Sequence, residues 1–244
     1  MAPVIVSLRR MRHGDHFRAT SLRMPEGIQS PVIGVDHAWM SGPVFPPHHH
    51  AGLSAVSYVF LDSETGINNR DNIGTSNFIA PGGLHWTAAG RGIVHEEVPA
   101  EDNKTVHSLQ IFVGLPGSKQ DMSPEALPLA TTAVPVVCTD EYQARILAGG
   151  FQGIYSPLSP PTKVTILDIS LEKNAVLNLP LPPRHCAFIL PIYGATRIGG
   201  LTFNHDDLNV PVYLAQDEPT TLVAEATEEK TKIMFFSGPS LSSY

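Results

Sequence analysis

The sequence predicts an all-β protein built from two antiparallel β-domains, either sandwiches or barrels. Two observations carry that expectation. Twenty-two prolines and twenty glycines interrupt the 244-residue chain every few positions. The runs between them are short, rich in Val, Ile, Leu, Phe and Tyr, and none keeps a long helical period. Such runs suit half-buried strands, and the glycines and prolines supply the reversals between them.

Taken in order, clear strand signals fall at 55–60 (Ala-Val-Ser-Tyr-Val-Phe), 108–113 (Ser-Leu-Gln-Ile-Phe-Val), 163–169 (Lys-Val-Thr-Ile-Leu-Asp-Ile) and 232–236 (Lys-Ile-Met-Phe-Phe). Between the second and third, prolines stand at 116, 124, 128 and 135. Proline has no amide donor and a fixed φ, so this stretch is expected to connect domains rather than join a sheet. The expected organisation is an N-terminal domain at 1–120, a linker at 121–135 and a C-terminal domain at 136–244. The halves echo each other. Pro46-Pro47-His48-His49-His50 precedes an apolar strand in the first, and Pro182-Pro183-Arg184-His185-Cys186 precedes Ala187-Phe188-Ile189-Leu190 in the second. Aligned this way, Arg184 and Cys186 replace His48 and His50. Nothing in the second half matches His95-Glu96-Glu97, so a metal site is expected in the first copy alone.

Hydrophobic residues make up 42% and charged residues 16%, as in a packed globular protein. The net charge of −7 argues against direct contact with a nucleic-acid backbone. Arg9, Arg10, Arg12 and Arg18 form a local basic cluster, read as a solvated edge. Cys138 and Cys186 sit in apolar surroundings and are expected to be buried free thiols. The apolar run at 1–6 is too short for a signal peptide, and no stretch approaches the roughly 18 apolar residues of a membrane span. A cytoplasmic protein without membrane contact is the expectation.

Chemistry concentrates in two short motifs. Side chains alternate along a strand, so His48 and His50 share one face and His49 points away. His95 and Glu97 behave likewise, with Glu96 turned out. Two such i, i+2 pairs on neighbouring strands can meet around one ion. Neutral imidazoles suit Fe, Ni, Cu, Zn and Co, and four protein ligands on a six-coordinate ion leave two positions for exogenous groups. His85, after the Pro81-Gly82-Gly83 turn, is the alternative to His95 as a ligand, and is expected to line the pocket instead. Trp86 and Phe60 are expected on the substrate wall. The other histidines (His13, His16, His37, His107, His185, His205) are expected to be solvated or hydrogen-bonded.

These motifs resemble the pirin family, a branch of the cupin superfamily. Residues 86–99, Trp-Thr-Ala-Ala-Gly-Arg-Gly-Ile-Val-His-Glu-Glu-Val-Pro, resemble its signature W-x-x-A-G-x-G-I-x-H-x-E-x-P, and His48-x-His50-x-Gly52 resembles its H-x-H-x-G element. Ser57-Tyr58 and Pro81-Gly82 also fit, and diffuse similarity continues to about Gly238. The resemblance implies a bicupin of two antiparallel β-barrels. It implies Fe(II), or another divalent ion such as Ni, Cu, Zn, Mn or Co, held by His48, His50, His95 and Glu97. Glu97 would double as a general base.

Two activities are implied by the resemblance. One is a quercetin 2,3-dioxygenase-like reaction of O2 with a flavonol or other small aromatic enol. The other is non-catalytic, iron-dependent binding of a transcription factor or metabolic enzyme, with the Arg9–Arg18 cluster or the Glu225, Glu228, Glu229 patch as contact surfaces. A metal-dependent isomerase or a sugar-binding cupin is a third reading. The chain departs from the family where Ala51, Leu53 and Ser54 stand for Arg, Phe and Glu. His49, Gly83 and His85 likewise replace Pro, Asp and Gln. A changed pocket wall is the expectation. The sequence ends at Tyr244, short of the family's longer tail.

Overall fold

A computed structural model describes residues 2–241, which form twenty-four strands and two short 3-10 turns. The strands pair antiparallel throughout. The first half holds a seven-stranded sheet in the order β12 (Glu125–Leu129), β9 (Leu84–Ala88), β6 (Leu53–Val59), β11 (Val106–Gly114), β4 (Val32–Met40), β3 (Phe17–Arg23), β2 (Arg9–His13). A four-stranded sheet faces it: β5 (His48–His50), β10 (Ile93–Pro99), β7 (Ile67–Asp71), β8 (Ser76–Ile79).

The second half repeats the plan. Its large sheet runs β1 (Val4–Ser7), β22 (Asn209–Tyr213), β19 (His185–Tyr193), β24 (Thr231–Pro239), β17 (Thr165–Leu171), β14 (Tyr142–Ala148), β13 (Val136–Cys138). Its small sheet runs β18 (Val176–Leu181), β23 (Thr220–Ala226), β20 (Ala195–Ile198), β21 (Leu201–Asn204). A hairpin of β15 (Gly150–Phe151) and β16 (Ile154–Tyr155) stands apart.

The duplication is therefore real in topology, but the Pro-Pro motifs do not mark equivalent strands. β5 occupies the edge of its small sheet beside β10, and β18 holds that place beside β23. The counterpart of the His48–His50 strand is the leucine-bearing β18. Pro182 and Pro183 lie after it, in the turn to β19. The proline-rich stretch also differs from the expected linker. Residues 125–129 form β12 and pair with β9. An edge strand needs donors toward one neighbour only, so Pro128 is tolerated there. In exchange, residues 4–7 leave the first half and pair with β22 of the second. Each half lends the other an edge strand.

Alternation along the strands sends side chains to two different interiors. On one side of the first large sheet, Val35, Val56, Tyr58, Leu84, Trp86, Leu109 and Ile111 pack against Ile166, Phe188, Leu190, Val212, Met234 and Phe236 of the second large sheet. Each such buried large side chain contributes about 1.5–3 kcal/mol relative to exposure. Polar contacts cross the same layer: Tyr58 donates to Asp168 at 2.6 Å, and Arg145 donates to the Gly82 carbonyl at 2.8 Å. Within the second sheet, Lys232 pairs with Asp168 at 2.6 Å.

At the rim of this layer, two of the histidines read as isolated meet each other. His107 Nδ1 lies 2.8 Å from Asp62, whose other oxygen accepts from Tyr193 of the second half at 2.6 Å. With that nitrogen donating, His107 Nε2 accepts from His37 Nε2 at 2.7 Å. Cys186 is buried as expected, but Cys138, on an edge strand, is exposed. Among the described residues, no helix is long and apolar enough to cross a membrane.

The second barrel is filled. Leu177, Leu179 and Leu181 of β18 and Leu222, Ala224 and Ala226 of β23 meet Leu167, Ile169, Ile189 and Phe235 of the large sheet in one apolar core.

The Asp168 cluster gives a stability test. Tyr58→Phe removes one of two partners of a buried carboxylate, and hydrogen bonds to charged groups are worth about 1.5–3 kcal/mol. Urea unfolding should show a loss of that order with metal content unchanged.

Candidate metal centre

The first barrel is not filled. His48 and His50 project from β5, and His95 from the middle of β10, with His95 opposite His48 and Ile93 opposite His50 in the ladder. The ring centroids lie 4.9 Å apart for His48–His50, 4.7 Å for His48–His95 and 5.0 Å for His50–His95. One nitrogen of each ring lies within 4.8 Å of the others. The Gly90-Arg91-Gly92 turn starts β10. Gly90 has φ +52° and a Cβ there would strike the Met122 carbonyl; Gly92 has φ +144° and a Cβ would meet the His49 ring at 2.8 Å. Side chains at either position would push β10, and His95 with it, out of place.

Electrostatics keep two of the rings, those of His95 and His50, neutral. Burial, then the nearby His48, His50 and His85, hold His95 down to about 3, with Asp71 pulling the other way. Burial, then His48 and His49, lowers His50 to about 4. Neutral imidazole is the metal-binding form. His48 Nδ1 lies 3.0 Å from the Pro46 carbonyl, so it carries the hydrogen and leaves Nε2 free as a donor to a metal. Both ring nitrogens of His95 are buried with no hydrogen-bond partner. An unsatisfied buried polar group costs about 1–3 kcal/mol, and a bound ion would relieve one of these. The donor set, its neutrality and the orphaned nitrogens fit a divalent transition metal.

Glu97 sits on the same face as His95 but outside the three-ring cluster. Its two carboxylate oxygens each lie 2.7 Å from Ser57 Oγ, which also stands 3.1 Å from Gln110 Oε1. One hydroxyl hydrogen cannot serve both acceptors. A protonated Glu97 resolves the conflict: the acid donates to Ser57, and Ser57 donates to Gln110. Burial agrees, pushing the Glu97 acid up to about 7 against the pull of the Ser57 hydrogen bond. Glu96 points outward and pairs with Arg70 at 2.6 Å.

These groups open onto a cavity of about 290 Å³, with His48, His50, Ser57, Glu97 and Gln110 on its polar side and Met11, Phe17, Met40, Phe45 and Phe112 on its apolar side. Asp36 also lines it and is held by Arg23 at 2.6 and 2.9 Å. His85 is buried beside the site, its ring nitrogens each 3.3 Å from the amides of Asn69 and Asn77, and burial lowers it to about 4.

None of the three expected wall residues lines this cavity: His85 is held by Asn69 and Asn77 beside the site, and the other two lie elsewhere. Trp86 and Phe60 belong to the apolar layer between the large sheets, and Phe60 stacks on His107 at 4.3 Å. Trp86 alternates with His85 and so faces away from the metal. Ala51, Leu53 and Ser54 do not line the cavity either. Gln110 and Asp36 carry no signal in the sequence, and Ser57 enters there only through the family resemblance at Ser57-Tyr58. Their roles follow from register, since Ser57 stands opposite Gln110 and Gln110 opposite Asp36.

The pirin family model matches residues 8–113. Pirin-like protein 2 of Arabidopsis thaliana is 30% identical over 212 residues, covering 86% of this chain and 64% of that protein. Human pirin is 32% identical over 155 residues, covering 64% of this chain and 52% of its own length. By these matches the chain is pirin-like. It spans between about half and two thirds of those curated relatives.

Solved structures agree on the bicupin fold. GK1651 of Geobacillus kaustophilus matches with a TM-score of 0.87 at 23% identity, covering 99% of this chain and 98% of that one. A quercetin 2,3-dioxygenase from Acinetobacter baumannii matches at 0.85 and 19% identity, covering 98% and 87%. The bacterial pirin YhhW of Escherichia coli, in complex with nickel(II), matches at 0.75 and 14%, covering 97% and 100%. The chain is thus a pirin-like cupin with a three-histidine site for a divalent metal.

Two outcomes follow from this site. His95→Ala removes a ligand at the centre of the cluster while leaving both apolar cores intact. Metal affinity should fall by more than the roughly 10- to 100-fold typical of losing a supporting hydrogen bond, and circular dichroism should be unchanged. The second concerns metal-free protein. His37, His50, His85 and His95 sit at about 3 to 4 against an ordinary 6.5. As pH falls below 6.5 the unfolded chain takes up protons that the native state refuses, so stability falls. Glu97, raised from 4.5 to about 7, acts oppositely: it favours the native state at low pH, and that contribution is lost as pH rises through 7. Four imidazoles outweigh one carboxyl, so the melting temperature should drop steadily from pH 6.5 towards 4.

Proposed function

We propose that this protein is a metal-dependent dioxygenase acting on a small aromatic enol of the flavonol or catechol kind, with Fe(II) as the metal and O2 as co-substrate. The observation that carries the reading is the pairing of three clustered imidazoles with one buried acid raised to about 7, beside a largely apolar cavity. The shared fold with a quercetin 2,3-dioxygenase supports it.

A metal held by His48, His50 and His95 would polarise a substrate hydroxyl and provide a place for O2 to react. The rest falls to side chains. Phe17, Phe45 and Phe112 bury the aromatic plane and exclude water. Glu97, ionised in part at neutral pH, accepts the enolic proton, and Ser57 with Gln110 holds the resulting acid in place. Asp36, fixed by Arg23, also lines the cavity and offers an acceptor for a substrate hydroxyl.

The test is anaerobic mixing of Fe(II)-loaded protein with a panel of flavonols and catechols, followed by oxygen. Substrate-dependent O2 consumption is expected, reduced about 10²- to 10⁴-fold in Glu97→Gln, the range for loss of a general base. No uptake with any member of the panel would contradict the reading.

A further inference from the structure

His95 lies in a single cross-strand row. Its ladder partner on one side is His48, and its partner on the other is Asp71 of β7. Directly opposed residues share a face and keep their Cβ atoms about 4.5–5.5 Å apart. Asp71 is therefore beside His95, on the flank away from the other two imidazoles.

The Asp71 carboxylate is half used. Oδ1 accepts from the amides of Ile73 at 3.0 Å and Thr75 at 2.8 Å, which builds the turn after β7. Oδ2 is buried and has no hydrogen-bond partner. His95 shows the complementary lack, with both ring nitrogens buried and unpartnered. The turn is locked to β10 next to His95, because Asn72 N donates to the Val94 carbonyl at 3.0 Å and Val94 N donates to Asn72 Oδ1 at 3.0 Å. The neighbouring His85 does not compete for Oδ2, since both its nitrogens face the Asn69 and Asn77 amides.

We infer that Asp71 is a positioning residue for the metal centre, accepting through Oδ2 the N–H of the His95 nitrogen that does not bind metal. His48 already has such a partner in the Pro46 carbonyl, and Asp71 gives His95 the equivalent, with a charge added. A carboxylate behind a ligating imidazole fixes its tautomer and raises its basicity. The inference rests on the three imidazoles being the metal site.

Zinc(II) serves as a diamagnetic probe, with affinity read by chelator competition and imidazole N–H groups by 1H–15N NMR. Asp71→Asn keeps an oxygen for the turn and replaces the second acceptor with a donor. Zinc affinity should fall about 10- to 100-fold, and the slowly exchanging His95 N–H should vanish while the His48 N–H persists. Unchanged affinity and an unchanged His95 signal would overturn the role. Asn72→Ala loosens the same turn but keeps the carboxylate, so the His95 signal must survive it; equal loss in both variants would make the effect merely structural and sink the inference. His95→Ala separates the two readings. Zinc binding that survives it contradicts the site itself, whereas loss there with none in Asp71→Asn contradicts only the part given to Asp71.

Discussion

The apolar layer between the two large sheets sets the terms for the rest of the molecule. It gathers side chains from β4, β6, β9 and β11 on one side and β17, β19, β22 and β24 on the other, with the buried Asp168 tied across it to Tyr58 and, within its own sheet, to Lys232. A barrel that has buried one face of its large sheet in this way need not bury the other to fold. The second barrel still does so, filling itself with leucines and alanines. The first keeps only a small apolar cluster of Val59, Ile67, Ile79 and Val106 and leaves the rest of its interior to histidines, a glutamate and a cavity. The exchange of edge strands β1 and β12 holds the halves together further, so the hollow barrel is braced from outside.

Within that interior the balance is set by desolvation. Burial disfavours every charge there, which keeps His50 and His95 as neutral ligands and Glu97 largely as an acid near pH 7. A divalent ion reverses the sense of this field. It compensates for the desolvated lone pairs and would favour the carboxylate form of Glu97. The same groups therefore make a poor interior without metal and a suitable one with it, which is the expected signature of a functional site set in a fold stabilised elsewhere.

Much of this was legible in the sequence. The His48/His50 and His95/Glu97 spacing placed each pair on one strand face, because strand periodicity is fixed at two. The family signature over residues 86–99 located the turn into β10. What stayed hidden depended on pairing. The Pro-Pro motif at 182–183 suggested an equivalence with 46–47, whereas the structural counterpart of β5 is β18, one strand earlier. Pro128 argued for a linker because sequence does not announce an edge position. Trp86 and Phe60 look like pocket aromatics until register sends them to the interdomain layer. Gln110 and Asp71 carry no motif at all, and Ser57 only the short Ser57-Tyr58 resemblance. Their roles appear only once β6 lies against β11 and β7 against β10.

The chemistry of the first barrel turns on three imidazoles sharing one ion. X-ray absorption of Fe(II)-reconstituted protein, with the metal content measured on the same sample, addresses this directly. The structure predicts one ion per chain with the scattering of three imidazoles. An ion count of zero, or a bound ion with fewer than three imidazoles, would contradict it.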